Sequence, residues 1–175
     1  MTPHHTPRMV DVVDSITLAD LPPHPRAVLA YVDGAWANYR QAVELFPDAL
    51  VVSCATNPRS DAMVLDVEPG DATFADAWHW LARQHARGRD RPCLYVGLAR
   101  ANDLYASLRR VGVRRSQYRL WSAHWTGVRH LCGPECGLVG EQAGATQWSG
   151  GVPRAHWDTS WASRGWLEAL KSGHA

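Results

Sequence analysis

The residues of this chain best equipped for chemistry are Asp66 and Glu68, within Met63-Val64-Leu65-Asp66-Val67-Glu68-Pro69-Gly70. In an extended strand successive side chains point to opposite faces, so the two carboxylates project from one face. Pro69-Gly70 then stops the strand, and the helical pattern that follows makes the segment a βα unit. Such units carry their chemistry at the C-terminal ends of strands. Two acids there suit general acid/base cleavage of a glycosidic bond, in which a proton reaches the leaving oxygen as positive charge grows at the anomeric carbon. Glu68 is the candidate donor. Asp66, two residues away, presses its pKa upward by like charge, and aromatic walls would add desolvation. A capping or salt-bridging acid pair on a turn is the plainer reading of the same motif.

Nine Trp stand against two Phe. Trp offers a large flat apolar face and one N–H donor, which suits stacking on a sugar ring and equally suits a core. Of the four cysteines, Cys54 and Cys93 fall in strand-like runs and read as small buried hydrophobes. Cys132 and Cys136 flank Gly133-Pro134-Glu135 and are candidates for a small disulfide hairpin, or for reduced thiols in a cytosol. His124 and His130 precede them in the pattern H-x5-H-x-C-x3-C, which leaves zinc open although the spacing is not a common finger pattern. No metal or cofactor is assigned from the sequence, and His124, His130 and His156 receive no catalytic role. Ser53 and Ser122 lack evident His and Asp partners, so no nucleophilic triad is expected.

The elements that must position these groups alternate along the chain. Residues 10–25 read as an irregular lead-in with at most one short strand. Strands are expected over 27–32, 50–55, 62–67, 93–97, 119–123 and 145–148. Helices are expected over 36–45, 73–86, 99–111 and 160–170. Thr73 and Asp76 resemble a capping box for the second, and Asp158 is a candidate N-cap for the last. Alternation with short connections is the signature of parallel βα units. Tyr31-Val32-Asp33-Gly34 lacks a phosphate-binding glycine pattern, and polar residues recur at strand ends all along the chain. A barrel site draws on every strand in this way, whereas an open sheet gathers its site at one switch point. The expected fold is therefore α/β, a short irregular (β/α) TIM-like barrel. One domain over 10–175 follows a flexible N-terminal segment over 1–9.

The 175 residues carry a net charge of only +1, which advertises no nucleic-acid or anionic-membrane partner. No apolar run reaches the roughly 18 residues of a membrane span. The His- and Pro-rich start lacks an apolar h-region, so no secretory signal is expected.

Taken in order, Tyr31-Val32-Asp33-Gly34, Leu65-Asp66-Val67-Glu68, Leu120-Trp121-Ser122-Ala123, Gln147-Trp148 and Trp157-Asp158 resemble motifs of the glycoside hydrolase family 25 lysozymes. The likeness is greater to the small family-25-like domains of actinobacteria and their phages. The resemblance implies an irregular βα barrel that cuts the β-1,4 bond between N-acetylmuramic acid and N-acetylglucosamine of peptidoglycan. It implies that Glu68 is the general acid, Asp66 its partner, Asp33 the acid ending the first strand, and Asp158 the acid after the last. Tyr95 and Trp121 match positions that present aromatics to the sugar, and Tyr31, Gln147 and Trp148 complete the substrate-binding set. The first motif departs from the family's G-x-D-x-S type, and the chain is shorter than a full family lysozyme. The implied roles are a phage endolysin module, a virion-associated lysin within a larger phage assembly, or a wall-remodelling enzyme. Such a protein would act from the host cytoplasm on the wall, or from the virion or outside the cell. A non-catalytic carbohydrate-binding or structural tail domain on the same barrel is the alternative. A zinc-stabilised interaction domain around Cys132 and Cys136 is a more distant one.

Overall fold

The computed structural model describes residues 8–150 and 157–173. Eight strands close a barrel in chain order: β1 (Met9–Asp14), β2 (Ala27–Tyr31), β3 (Leu50–Ala55), β4 (Val64–Asp66), β5 (Cys93–Gly97), β6 (Arg119–Ala123), β7 (Ala145–Ser149) and β8 (Asp158–Ser163). Neighbours from β1 to β7 run parallel, and β8 closes the ring antiparallel to both β7 and β1. The four helices are α1 (Tyr39–Leu45), α2 (Phe74–Ala86), α3 (Leu98–Arg110) and α4 (Arg164–Ser172). The α/β barrel expected from the alternation is the fold.

Strand periodicity sorts the side chains. One buried cluster takes members from all eight strands, among them Val12, Leu29, Cys54, Val64, Tyr95, Trp121, Ala145 and Ala162, so these face the barrel interior. Residues of opposite parity, such as Leu65, Val67, Leu94 and Val96, pack instead with Trp80, Leu81, Leu104 and Leu108 of α2 and α3. Thr73 caps α2 as expected: its Oγ1 accepts from Asp76 N at 3.1 Å, while Asp76 Oδ2 accepts from Thr73 N at 2.9 Å. Leu167 and Leu170 of α4 join the interior cluster and seal one end of the barrel. Truncating either to Ala is expected to cost about 2–5 kcal/mol.

Two parts of the chain differ from the sequence reading. The lead-in holds a full strand, β1, which starts at Met9, inside the segment expected to be flexible. Residues 1–7 of that segment, and His156, lie outside the described residues. Strand β8 takes the first four residues of the helix expected over 160–170, which begins instead at Arg164. Asp158 is therefore not an N-cap. Ser163 fills that role, its Oγ accepting from Trp166 N at 3.1 Å. Pairing with β1 along the whole strand and with β7 overrides the local helical pattern here. Small Ser160 and Ala162 fit the crowded interior.

Helices do not follow every strand. Residues 124–144, between β6 and β7, hold only a 3-10 turn at Pro134–Cys136. Among the described residues, no helix is long and apolar enough to cross a membrane.

Candidate active site at the barrel mouth

In a parallel barrel the C-terminal strand ends share one rim. Because β8 runs the other way, it contributes its first residue to that rim. Asp14 at the end of β1, Asp66 at the end of β4 and Asp158 at the start of β8 therefore converge.

Asp66 and Glu68 share a face as the sequence spacing requires, with Val67 turned outward under the helices. Val67 N donates to Tyr95 O at 2.9 Å, so sheet pairing continues one residue past β4. Gly70, at φ 103°, then lets the chain reverse, and Asp71 N donates back to Glu68 O at 3.0 Å. Asp66 is only 4% exposed, and among the described residues its Oδ1 has no hydrogen-bond partner. Burial pushes its pKa up to about 8; Glu68, Asp71 and Asp14 add to the rise, and a Tyr31 hydrogen bond opposes it. Glu68 is half-buried. Its pKa is raised by burial and then by Asp71, against the Arg100 charge and a bond from the Gly97 backbone N–H. A raised carboxyl pKa is the direction that a general acid requires.

Asp14 was not among the candidates read from the sequence. The signal was there: an apolar run, Val10 to Val13, broken only by Asp11 and ended by an acid and Ser15. It pairs in register with Asp158 across β1 and β8. Burial and the Asp158 charge push its pKa up to about 8, and a bond to Gln147 opposes them. The acid that ends the first strand is therefore Asp14, since Asp33 follows β2. Asp33 instead holds a turn: its Oδ1 accepts from Thr56 N at 2.8 Å and Thr56 Oγ1 at 2.9 Å, and its Oδ2 accepts from Asn57 N at 3.2 Å.

Gln147 ties the rim together. Its Oε1 accepts from Tyr95 Oη at 2.6 Å and Trp125 Nε1 at 2.9 Å, and its Nε2 donates to Asp158 Oδ2 at 3.0 Å. An indole N–H can only donate, so it fixes which end of the amide faces it and leaves the NH2 for the carboxylate. Tyr31 and Tyr95 both have raised pKa values, chiefly through burial, and remain hydroxyl donors.

The aromatic assignments divide. Tyr31 and Tyr95 stand in the mouth. Trp121 does not: it is 1% exposed in the interior, donates Nε1 to Ser160 Oγ at 2.9 Å and meets Trp166 edge-on. Trp148 is turned away from the mouth, since neighbouring Gln147 points in. Arg129 stacks over the rings of Trp148 and Trp161 at 5.3 and 5.2 Å. An indole available to a ligand beside Gln147 is Trp125, 66% exposed. A Cβ built on Gly150 would come within 2.9 Å of Trp125 Nε1 and 3.2 Å of Asp158 Oδ1, which puts indole and acid on one rim.

A cleft of about 520 Å³ opens beside these groups, with Glu68, Asn102, His124, Trp125 and Cys136 in its wall. That volume suits a sugar unit or two. No family model matches this chain, and neither a curated protein nor a solved structure matches it. An acid toward which a leaving oxygen can approach, buried carboxyls around it and an exposed indole together suit polar bond cleavage in a carbohydrate.

Cys132 and Cys136 are free thiols, so the disulfide expected as a candidate is not formed. Their sulfurs lie with ring nitrogens of His124 and His130 in one group whose ligand atoms are all within 4.8 Å of each other.

Proposed function

We propose that this chain is a glycoside hydrolase that cleaves β-1,4 bonds of peptidoglycan by carboxylate acid/base catalysis. The observation that carries the reading is the convergence of Asp14, Asp66, Glu68 and Asp158 at one barrel mouth, with Glu68 lining an open cleft beside an exposed indole. Glu68 donates the proton to the leaving oxygen. Burial and the Asp71 carboxylate raise the Glu68 pKa, which favours its acid form, while Asp66, pushed up to about 8, carries no charge near neutral pH. Asp158, oriented by Gln147, supplies the negative charge that stabilises the positive anomeric carbon, while Asp14, pushed up to about 8, is its neutral neighbour near neutral pH. Trp125 stacks on a sugar, and Tyr31 and Tyr95, whose hydroxyls bond to Asp66 and Gln147, hold those groups at the mouth. The choice of peptidoglycan rests on the resemblance of the ordered motifs.

The test is digestion of purified peptidoglycan, followed by labelling of new reducing ends and mass analysis. New N-acetylmuramic acid reducing ends support the proposal. Binding to the polymer without new reducing ends overturns hydrolysis and leaves a carbohydrate-binding module.

A further inference from the structure

The long connection between β6 and β7 is an anomaly of the fold. Residues 124–144 form no helix, yet Cys132, Leu138 and Ala143 of this loop are buried against the α2 and α3 side of the barrel. Loops of this length without internal structure are uncommon in compact domains unless something ties them.

We propose that a zinc ion bound by His124, His130, Cys132 and Cys136 ties this loop. His124 Nδ1 lies 3.1 Å from His130 Nε2, and Cys132 Sγ lies 3.6 Å from each. Tetrahedral zinc with ordinary bond lengths places two nitrogens about 3.4 Å apart and a nitrogen and a sulfur about 3.6 Å apart. Three of the four ligands already stand at nearly those separations. Cys136 brings the fourth donor atom within 4.8 Å of the rest. The turn Pro134–Cys136 carries it there, and Gly137, at φ 81°, lets the chain leave the turn.

The surroundings fit a metal ligand set. His130 Nδ1 is 2.8 Å from Val128 O, a carbonyl that can only accept. The ring proton is therefore on Nδ1, and the Nε2 lone pair points into the cluster, the arrangement in which backbone carbonyls orient metal-bound imidazoles. Cys132 N donates to Thr146 Oγ1 at 2.8 Å, which anchors the ligand loop to β7. Two thiolates and two imidazoles in a tetrahedron select zinc over harder cations. Four protein ligands leave no open position, so the ion is structural and supplies no nucleophilic water. Its effect on the site is indirect: His124 precedes Trp125, and His124 and Cys136 both stand in the cleft wall with Glu68. Zinc would hold that wall in shape. The inference is independent of the hydrolase reading.

The test is elemental analysis of the full chain purified under reducing conditions from zinc-supplemented cells and dialysed against metal-free buffer. A zinc-to-protein ratio near one is expected, falling more than tenfold in Cys132→Ser/Cys136→Ser and unchanged in Cys93→Ala. Should the double variant fail to fold, the wild type still decides: cobalt(II) added to the stripped chain should give the intense d–d bands of a tetrahedral site with thiolate charge transfer. Chelation should lower the melting temperature of the zinc-loaded chain by several degrees. Wild type without zinc, and without tetrahedral cobalt bands when its thiols are reduced, overturns the proposal. So does recovery of Cys132 and Cys136 as a disulfide from reducing cytosol.

Discussion

Asp14 lies directly opposite Asp158 in the antiparallel ladder that closes the barrel. Carboxylates at facing positions repel, and the rim absorbs this by raising the Asp14 pKa and by giving both acids a bond to Gln147. The reversed direction of β8 is what makes the pair possible. A parallel last strand would carry Asp158 to the far end of the barrel.

Stability should fall as pH rises. Asp14 and Asp66 are pushed up to about 8 in the folded chain, against about 3.9 when unfolded. Between these values the folded chain keeps protons that the unfolded chain has released. The stabilisation is therefore complete below about pH 4 and is lost as pH climbs through 8. Urea midpoints should be higher at pH 5 than at pH 8, and Asp66→Asn should flatten that slope. A wild-type midpoint that rises over the interval contradicts the assignment.

Gln147→Leu should weaken the rim more at high pH than at low. It removes the acceptor for Tyr95 and Trp125 and the donor to Asp158. Each buried group left without a partner costs about 1–3 kcal/mol. Thermal melts at pH 5 and pH 8 check this, and equal losses at both would deny Gln147 its place between the acids.

Trp121 and Trp125 should separate stability from binding. Trp121→Ala removes a core indole and should cost about 3–5 kcal/mol. Trp125→Ala should leave the melting temperature within a few degrees of wild type and raise KM several-fold, with kcat less affected. Kinetics on soluble peptidoglycan fragments and thermal melts of both variants measure the contrast.

Asp33→Ala should act on the turn after β3 and spare the chemistry. Losing the acceptor for Thr56 and Asn57 should cost about 1 kcal/mol, with kcat within a few-fold of wild type. A loss of activity as large as that of Glu68→Gln would return Asp33 to the catalytic set.

The barrel was legible in the sequence because six strands and four helices carry strong local patterns. Asp66 and Glu68 were legible because a period of two and a Pro-Gly stop are local facts. Asp14 and β8 were not. Asp14 had a local signal in the apolar run before it, but its place at the mouth and the strand character of β8 come from their pairing, a contact between distant parts of the chain that no local window contains. Trp121 and Trp148 misled because an indole reads alike in a core and in a cleft, and only side-chain parity around a closed ring separates them. The thiols and imidazoles of residues 124–136 were visible as a pattern, but their closeness depends on how the long loop folds back.

The most direct test of the central claim is the rate of reducing-end release from peptidoglycan by wild type and by Glu68→Gln, with circular dichroism and melting temperature recorded for both. The isosteric amide keeps the shape and cannot deliver a proton. The predicted result is a fall of roughly 10²–10⁴-fold with the fold unchanged. Equal rates for the two proteins would show that Glu68 is not the acid and that this mouth does not cleave in the way described.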